Sequence, residues 1–220
     1  MRKLLAVVFG LSLIITSAAQ AAFITTNEAQ LDAIFSQASF GNTPIDIRIG
    51  AATEIVAPTL LDITTNAEVS SLFGMHVGAA NVVNFYFIDT ISACGATISV
   101  NIVGCGETPG NDFVVESTFA AGAFGAELLA HELGHNLGLP HINGNLLMDP
   151  ILNGFTTLTA PEVTTIFNSP LVQQDTSGFW IQINPVLIVA QASVPMPTPS
   201  TLALLFIAFT LIFSSKRKNN

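Results

Sequence analysis

Apolar and polar residues along the chain fall into two recurring periods. Between residues 25 and 41, Ala29, Leu31, Ile34, Phe35 and Ala38 recur at helical spacing, with Thr26 or Asn27 placed to cap the start and Gly41 after the end. This predicts an amphipathic helix. "PIDIRIG" (44–50) alternates Ile45, Ile47 and Ile49 with Asp46 and Arg48, the period of a half-buried strand. A second helix is predicted over Asn66–Phe73. "NVVNFYFID" (81–89) is apolar at nearly every position, as a central strand should be. "ATISVNIVG" (96–104) and "DFVVES" (112–117) are further strand candidates on either side of the Gly/Pro-rich "GCGETPGN". An Ala- and Leu-rich helix runs through "AFGAELLAHELGHNLG" and stops at Gly138. Thr159 and Glu162 have capping-box spacing ahead of a last helix ending at Phe167. "FWIQINPVLIVA" (179–190) reads as a closing strand. No internal repeat is visible. Helices alternating with strands predict one α/β (α+β) domain.

The two ends follow a different logic. Arg2 and Lys3 precede an apolar run from Leu4 to Ile15, and Ala19-Gln20-Ala21 follows it. This is the pattern of a secretory signal over 1–21, with a membrane anchor as the alternative. At the other end, Pro195, Pro197 and Pro199 lead into an apolar run from Leu202 to Phe213, closed by Lys216, Arg217 and Lys218. The run is short of the ~20 apolar residues a spanning helix needs. Spacer, short apolar stretch and basic end over 191–220 resemble the PEP-CTERM sorting tails of Gram-negative bacteria, with Met196 where that signature has Glu. The resemblance implies sorting machinery that cuts the tail, membrane association through the tail that is only transient, and a mature protein outside the inner membrane, extracellular or on the cell surface. An ordinary C-terminal anchor is the alternative. The working domain is then 22–190.

Removing the ends changes the charge. The whole chain carries −9, but all 15 acidic residues and only Arg48 among the six basic ones lie between the two ends, leaving that segment near −14. Such a surface repels nucleic acid and anionic lipid, so no nucleic-acid partner is expected. It can favour cationic substrates, bind Ca²⁺, or serve solubility alone. The two cysteines, Cys94 and Cys105, are expected to pair in the oxidising compartment that export implies; two thiols, one of them an inhibitory metal ligand, are the alternative.

Three of the four histidines fall within "HELGHNLGLPH". His131 and His135, one turn apart, share a helix face. Gly138 tolerates the left-handed turn that ends the helix, so the chain can reverse and return His141 to the same point. Three neutral imidazoles leave the fourth position of a tetrahedral Zn²⁺ for water, the layout of a catalytic rather than a closed site. Glu132 is placed to take a proton from that water and pass it to a leaving amine.

The run is H-E-x-x-H-x-x-G-x-x-H in full, and with Met148 in "GNLLMDP" it resembles the metzincin metallopeptidases. A reprolysin-like bacterial peptidase is the nearest description; Ile142, after the third histidine, leaves the subfamily open. The resemblance implies a zinc endopeptidase acting on protein or peptide substrates. It implies a twisted mixed sheet packed on the active-site helix, and Met148 in a tight turn below the metal. Substrate would lie along an edge strand, with "GNDFVVEST" the candidate edge. A non-catalytic surface protein that keeps this fold is the alternative. Tyr86 lies too far upstream to serve as a metal ligand after the Met-turn, and little chain remains before the first helix for an opening strand or a long pro-segment. His76 reads as structural or surface, Phe73 and Met75 as core, Trp180 as packing, and Asp149 as either a turn residue or a support beneath the metal.

Overall fold

The computed structural model describes residues 22–192; the proposed signal (1–21) and the Pro-rich, apolar and basic parts of the tail (193–220) lie outside the described residues. In chain order the elements are α1 (Glu28–Phe35), β1 (Ile45–Ile49), β2 (Thr53–Val56), β3 (Asp62–Ile63), α2 (Asn66–Phe73), β4 (Val82–Ile88), β5 (Thr90–Ile91), β6 (Ala93–Cys94), β7 (Thr97–Ile98), β8 (Gly104–Gly106), β9 (Asp112–Glu116), α3 (Ser117–Ala120), α4 (Gly125–Asn136), α5 (Ala160–Phe167), β10 (Gln173–Asp175) and β11 (Gly178–Val189). Residues 22–27 carry no strand. Among the described residues no helix is long and apolar enough to cross a membrane.

The fold is mixed α/β around a mixed sheet. β11 lies between β1 and β4, β4 lies between β11 and β9, and β8 forms one edge. The β1, β11, β4 and β9 pairings are parallel, whereas β8 runs antiparallel to β9. β2 continues the lane of β1 along β11, and β10 pairs antiparallel with the start of β11. Pro185, which has no N–H to donate, falls where β1 has ended at Ile183 and β2 has not yet begun at Val186. A proline is tolerated in this central strand because its neighbour lane is broken there.

Both sheet faces are covered, which explains why β4 is apolar almost throughout. Val83, Phe85 and Phe87 point into a core shared with α1, α4 and α5; Tyr86 and Ile88 point the other way, into a second core with α2. Phe113 and Val115 of β9 continue the first face and Val114 the second. Tyr86 therefore sits in the core without α4, the helix that carries His131 and His135.

Several sequence expectations are corrected. "ATISVNIVG" is not one strand: Thr97 and Ile98 pair with β6, while Val100 is 89% exposed in the loop that follows. The edge is not β9, which is paired on both sides, but β8, drawn from the segment read as a Gly/Pro-rich connection. Met75 follows the end of α2 and is 36% exposed rather than core, whereas Phe73 packs partly buried against the second core. Asn27 adopts φ 50° and turns its amide to the Ala120 carbonyl (2.8 Å) instead of capping α1. The Thr159–Glu162 box does form, Thr159 N–H donating to Glu162 Oε2 at 2.7 Å.

Candidate metal centre

α4 carries the first two histidines and is anchored at each end. Near its start, the buried Glu127 carboxylate accepts from the N–H groups of Asn153 (2.8 Å) and Gly154 (2.9 Å). At its end, the Asn136 amide donates to the carbonyls of Glu107 (3.1 Å) and Asp112 (2.9 Å), tying the helix to the turn between β8 and β9. The helix closes at Gly138, where φ is 93°. Gly138 N–H donates to His135 O and Leu139 N–H to Gly134 O, both at 2.9 Å. That pair of bonds is the Schellman closure, and it turns the chain back toward the site.

This reversal brings the three imidazoles together. His131 Nε2 lies 3.1 Å from His141 Nε2, and His135 Nε2 lies 3.0 Å from the same atom. The far nitrogens are already committed. His131 Nδ1 is 2.8 Å from the Leu147 carbonyl and His135 Nδ1 is 2.8 Å from that of Leu139. A carbonyl can only accept, so both Nδ1 atoms carry the proton and both Nε2 atoms present lone pairs. Two such lone pairs beside a third ring nitrogen are placed to share a cation. Burial reinforces the neutral forms: it pushes His131 down to about 4 and lowers His135 and His141 as well. The His131–His135–His141 group can therefore hold a metal ion. Its all-imidazole donor set suits a transition ion such as zinc, copper, nickel or iron, and does not suit calcium, which takes oxygen ligands. Among the described residues no second group of three or more His, Cys, Asp or Glu side chains gathers for calcium.

The supports come from positions of low chemical content. Met148 is fully buried; a Cβ added at Gly134 would lie 2.5 Å from its sulfur, so the glycine lets the methionine seat against the helix between His131 and His135. Met148 O accepts from Ile142 N–H at 2.9 Å, which fixes the segment carrying His141. Asp149 serves the turn, its carboxylate accepting from Gly144 N–H (2.8 Å) and Ile151 N–H (3.0 Å). His76 is engaged elsewhere, 2.9 Å from Asp112. Trp180 packs under the Arg48 guanidinium at 4.4 Å.

Glu132 faces the same cleft, a cavity of about 570 Å³ that also takes in the three histidines, β8 and Leu152. Its Oε2 is buried without a hydrogen-bond partner, and burial pushes its carboxyl up to about 8. A cation in the cleft would act in the opposite direction.

Sequence reasoning missed β8. A Cβ on Gly104 would lie 2.9 Å from Glu132 Cδ, and one on Gly106 would lie 2.9 Å from Glu132 O and 3.2 Å from His135 Cβ. The two glycines let the edge strand lie flat on the helix turn that carries Glu132 and His135. Cys105, between them, points to the opposite face, into the second core, and is joined there to Cys94. The signal available was the Gly-Cys-Gly alternation itself, with small residues on one face and a bridge on the other.

No protein-family model matches the chain, and no curated protein matches it.

Proposed function

We propose that this chain is a zinc-dependent endopeptidase of the metzincin type, exported and then released or held at the cell surface once its tail is processed. One observation carries the reading: Glu132, whose buried carboxylate keeps one oxygen unpartnered, is among the residues lining the cleft where three imidazole nitrogens converge. A binding module gains nothing from an unsatisfied buried carboxylate, which costs stability. An enzyme that must accept a proton there does gain.

His131, His135 and His141 would hold the ion, with their Nδ1 bonds and the Gly138 turn keeping the Nε2 atoms convergent. Zinc, when bound, supplies Lewis-acid polarisation of water and of the scissile carbonyl. Glu132 accepts the proton of the attacking water at its free oxygen and returns it to the leaving amine. The edge strand β8 offers main-chain groups to an extended peptide. The Cys94–Cys105 bridge suits the oxidising compartment that export implies.

Metal analysis and peptide digestion of the purified ectodomain test this. The expected result is near-stoichiometric zinc and hydrolysis that a chelator abolishes and added zinc restores. Bound zinc with no hydrolysis of any member of a broad peptide library would overturn it.

A further inference from the structure

The main chain at Ala22 and Phe23 is tied to the end of β4 and the start of α3. Ala22 N–H donates to the carboxylate of Asp89, the residue after β4. Phe23 N–H donates to Ser117 Oγ (3.0 Å), and Ser117 Oγ donates to the Ile88 carbonyl (3.0 Å). Ser117 is buried and opens α3, and the Asn27 amide reaches the last residue of that helix at Ala120 O.

Charge is unbalanced where this segment attaches. Asp89 is half-buried; burial, and then the Asp62 carboxylate, push its carboxyl up, while the Ala22 N–H acts against them. Asp62 is exposed and accepts from Thr90 Oγ1 at 2.7 Å. Neither carboxylate has a basic side chain to pair with. Among the described residues Arg48 is the sole lysine or arginine, and Asp46 and Asp175 hold it, each at 2.8 Å. A neutral amide answers two carboxylates poorly; an ammonium at the same nitrogen answers them well.

The sequence supplies that ammonium at this very residue. Ala19-Gln20-Ala21 is the cleavage pattern of the expected signal, so export cuts the bond between Ala21 and Ala22. Hydrolysis breaks that C–N bond, places the hydroxyl of water on the Ala21 carbonyl carbon and its proton on Ala22 N. The new α-amine takes a second proton from solvent near neutral pH.

We propose that signal removal after Ala21 creates an ion pair between the Ala22 α-ammonium and Asp89, backed by Asp62, which locks the mature N-terminus onto β4 and α3. This rests on the export reading and not on zinc or hydrolysis. α3 precedes α4, the helix that carries His131 and His135, so the lock forms just ahead of the metal centre in the chain.

The test uses the full chain, exported by its own signal from a Gram-negative host. Intact mass and N-terminal sequencing should place the start at Ala22. Reductive methylation with a ¹³C label, followed by NMR titration, reads the α-amine, which should titrate above the roughly 7.7–8.0 of a free terminus. Gly-Ser inserted between Ala21 and Ala22 moves the ammonium off Asp89. Its α-amine should titrate as a free terminus, and Tm should fall by about 2–4 °C. Asp89→Asn should bring the α-amine of the uninserted chain down and leave the insertion without effect on Tm. Asp62→Asn should bring it down by less. An α-amine that titrates as a free terminus in the parent overturns the proposal. So does an insertion that lowers Tm equally with and without Asp89→Asn, since the effect is then steric. A start at another residue inside the chain overturns the ion pair while export stands; a start at Met1 removes the export reading as well. A raised α-amine in a parent that hydrolyses no peptide supports the proposal and removes the endopeptidase reading.

Discussion

The two walls of the cleft are built on opposite plans. One, α4 and the chain that returns through His141 to Met148, is dense with functional groups, and hydrogen bonds hold it: each helix histidine is steered by a backbone carbonyl. The other, β8 with the loop before it, contributes almost no reactive group. It is held by its ladder to β9 and by the Cys94–Cys105 bridge, and it meets the first wall through two glycines. Chemistry needs particular side chains, so the first wall announces itself by composition. Close approach needs their absence, so the second leaves almost no trace.

The sharpest test of that division is on the first wall. Glu132→Ala should keep zinc near stoichiometric and lose about 10²- to 10⁴-fold in hydrolysis, the usual contribution of a general base. His131→Ala or His135→Ala should lose both. Metal analysis alongside peptide cleavage reads both, and a Glu132→Ala protein cutting at the parental rate removes the proposed role.

The second wall is probed by its bridge. The two cysteines stand 11 positions apart in sequence, and closing a loop of this size stabilises a fold by roughly 3 kcal/mol on the chain-entropy estimate. Cys94→Ala/Cys105→Ala should lower stability by about that amount, read by denaturant midpoint, with zinc retained. Both thiols should be blocked in unreduced, alkylated protein analysed by mass spectrometry. Two free thiols in exported protein would mean that the wall is held by its ladder alone.

The same contrast explains what was legible in the sequence. Val82–Ile88 reads as central because both faces are covered and all positions but Asn84, whose amide is satisfied by the Val77 backbone, are apolar or aromatic. The histidines, Glu132 and Gly138 read directly because their spacing is that of a helix turn and its closure; Met148 was pointed to only by the family resemblance. β8 did not, because a strand of Gly-Cys-Gly carries no hydrophobic alternation, and its reason for being a strand lies on a helix 28 residues downstream (Gly104 against Glu132). The loop 99–103 was misread for the converse reason. Val100 and Ile102 have strand propensity, but Val100 faces solvent in the loop before β8 and joins no ladder, so local apolar character alone was a false guide. The parallel insertion of β11 between β1 and β4 was equally hidden, since no local pattern encodes which distant strand is a neighbour.

Where the walls touch, the expected effect is smaller and more specific. Gly104→Ala places a methyl against the Glu132 carboxylate, which must rotate away or push β8 outward. A misplacement of this size costs catalysis more than binding. We expect kcat to fall by about tenfold with KM and zinc content little changed. Gly74→Ala is the control, since there the nearest atoms stand at an ordinary 3.4 Å. An unchanged kcat in Gly104→Ala would mean that β8 merely covers Glu132 without setting its direction.

The mildest perturbation addresses the end of the first wall. Gly138 holds φ 93°, a conformation that costs an L-residue roughly 1–2 kcal/mol. The nearest atom to an added Cβ is Thr165 Cγ2 at 3.7 Å, so space is no obstacle and only the backbone objects. Gly138→Ala should therefore lose about 1 kcal/mol of stability, and Gly138→Asn less, because asparagine tolerates the left-handed region better. The turn also delivers His141, whose ring nitrogen completes the trio. If the Schellman closure positions that ligand, chelator competition should extract zinc more readily from Gly138→Ala than from the parent, with Gly138→Asn in between. If zinc affinity is the same in all three while stability falls in the expected order, the turn only ends the helix, and the contact between Met148 O and Ile142 N–H is what brings His141 home.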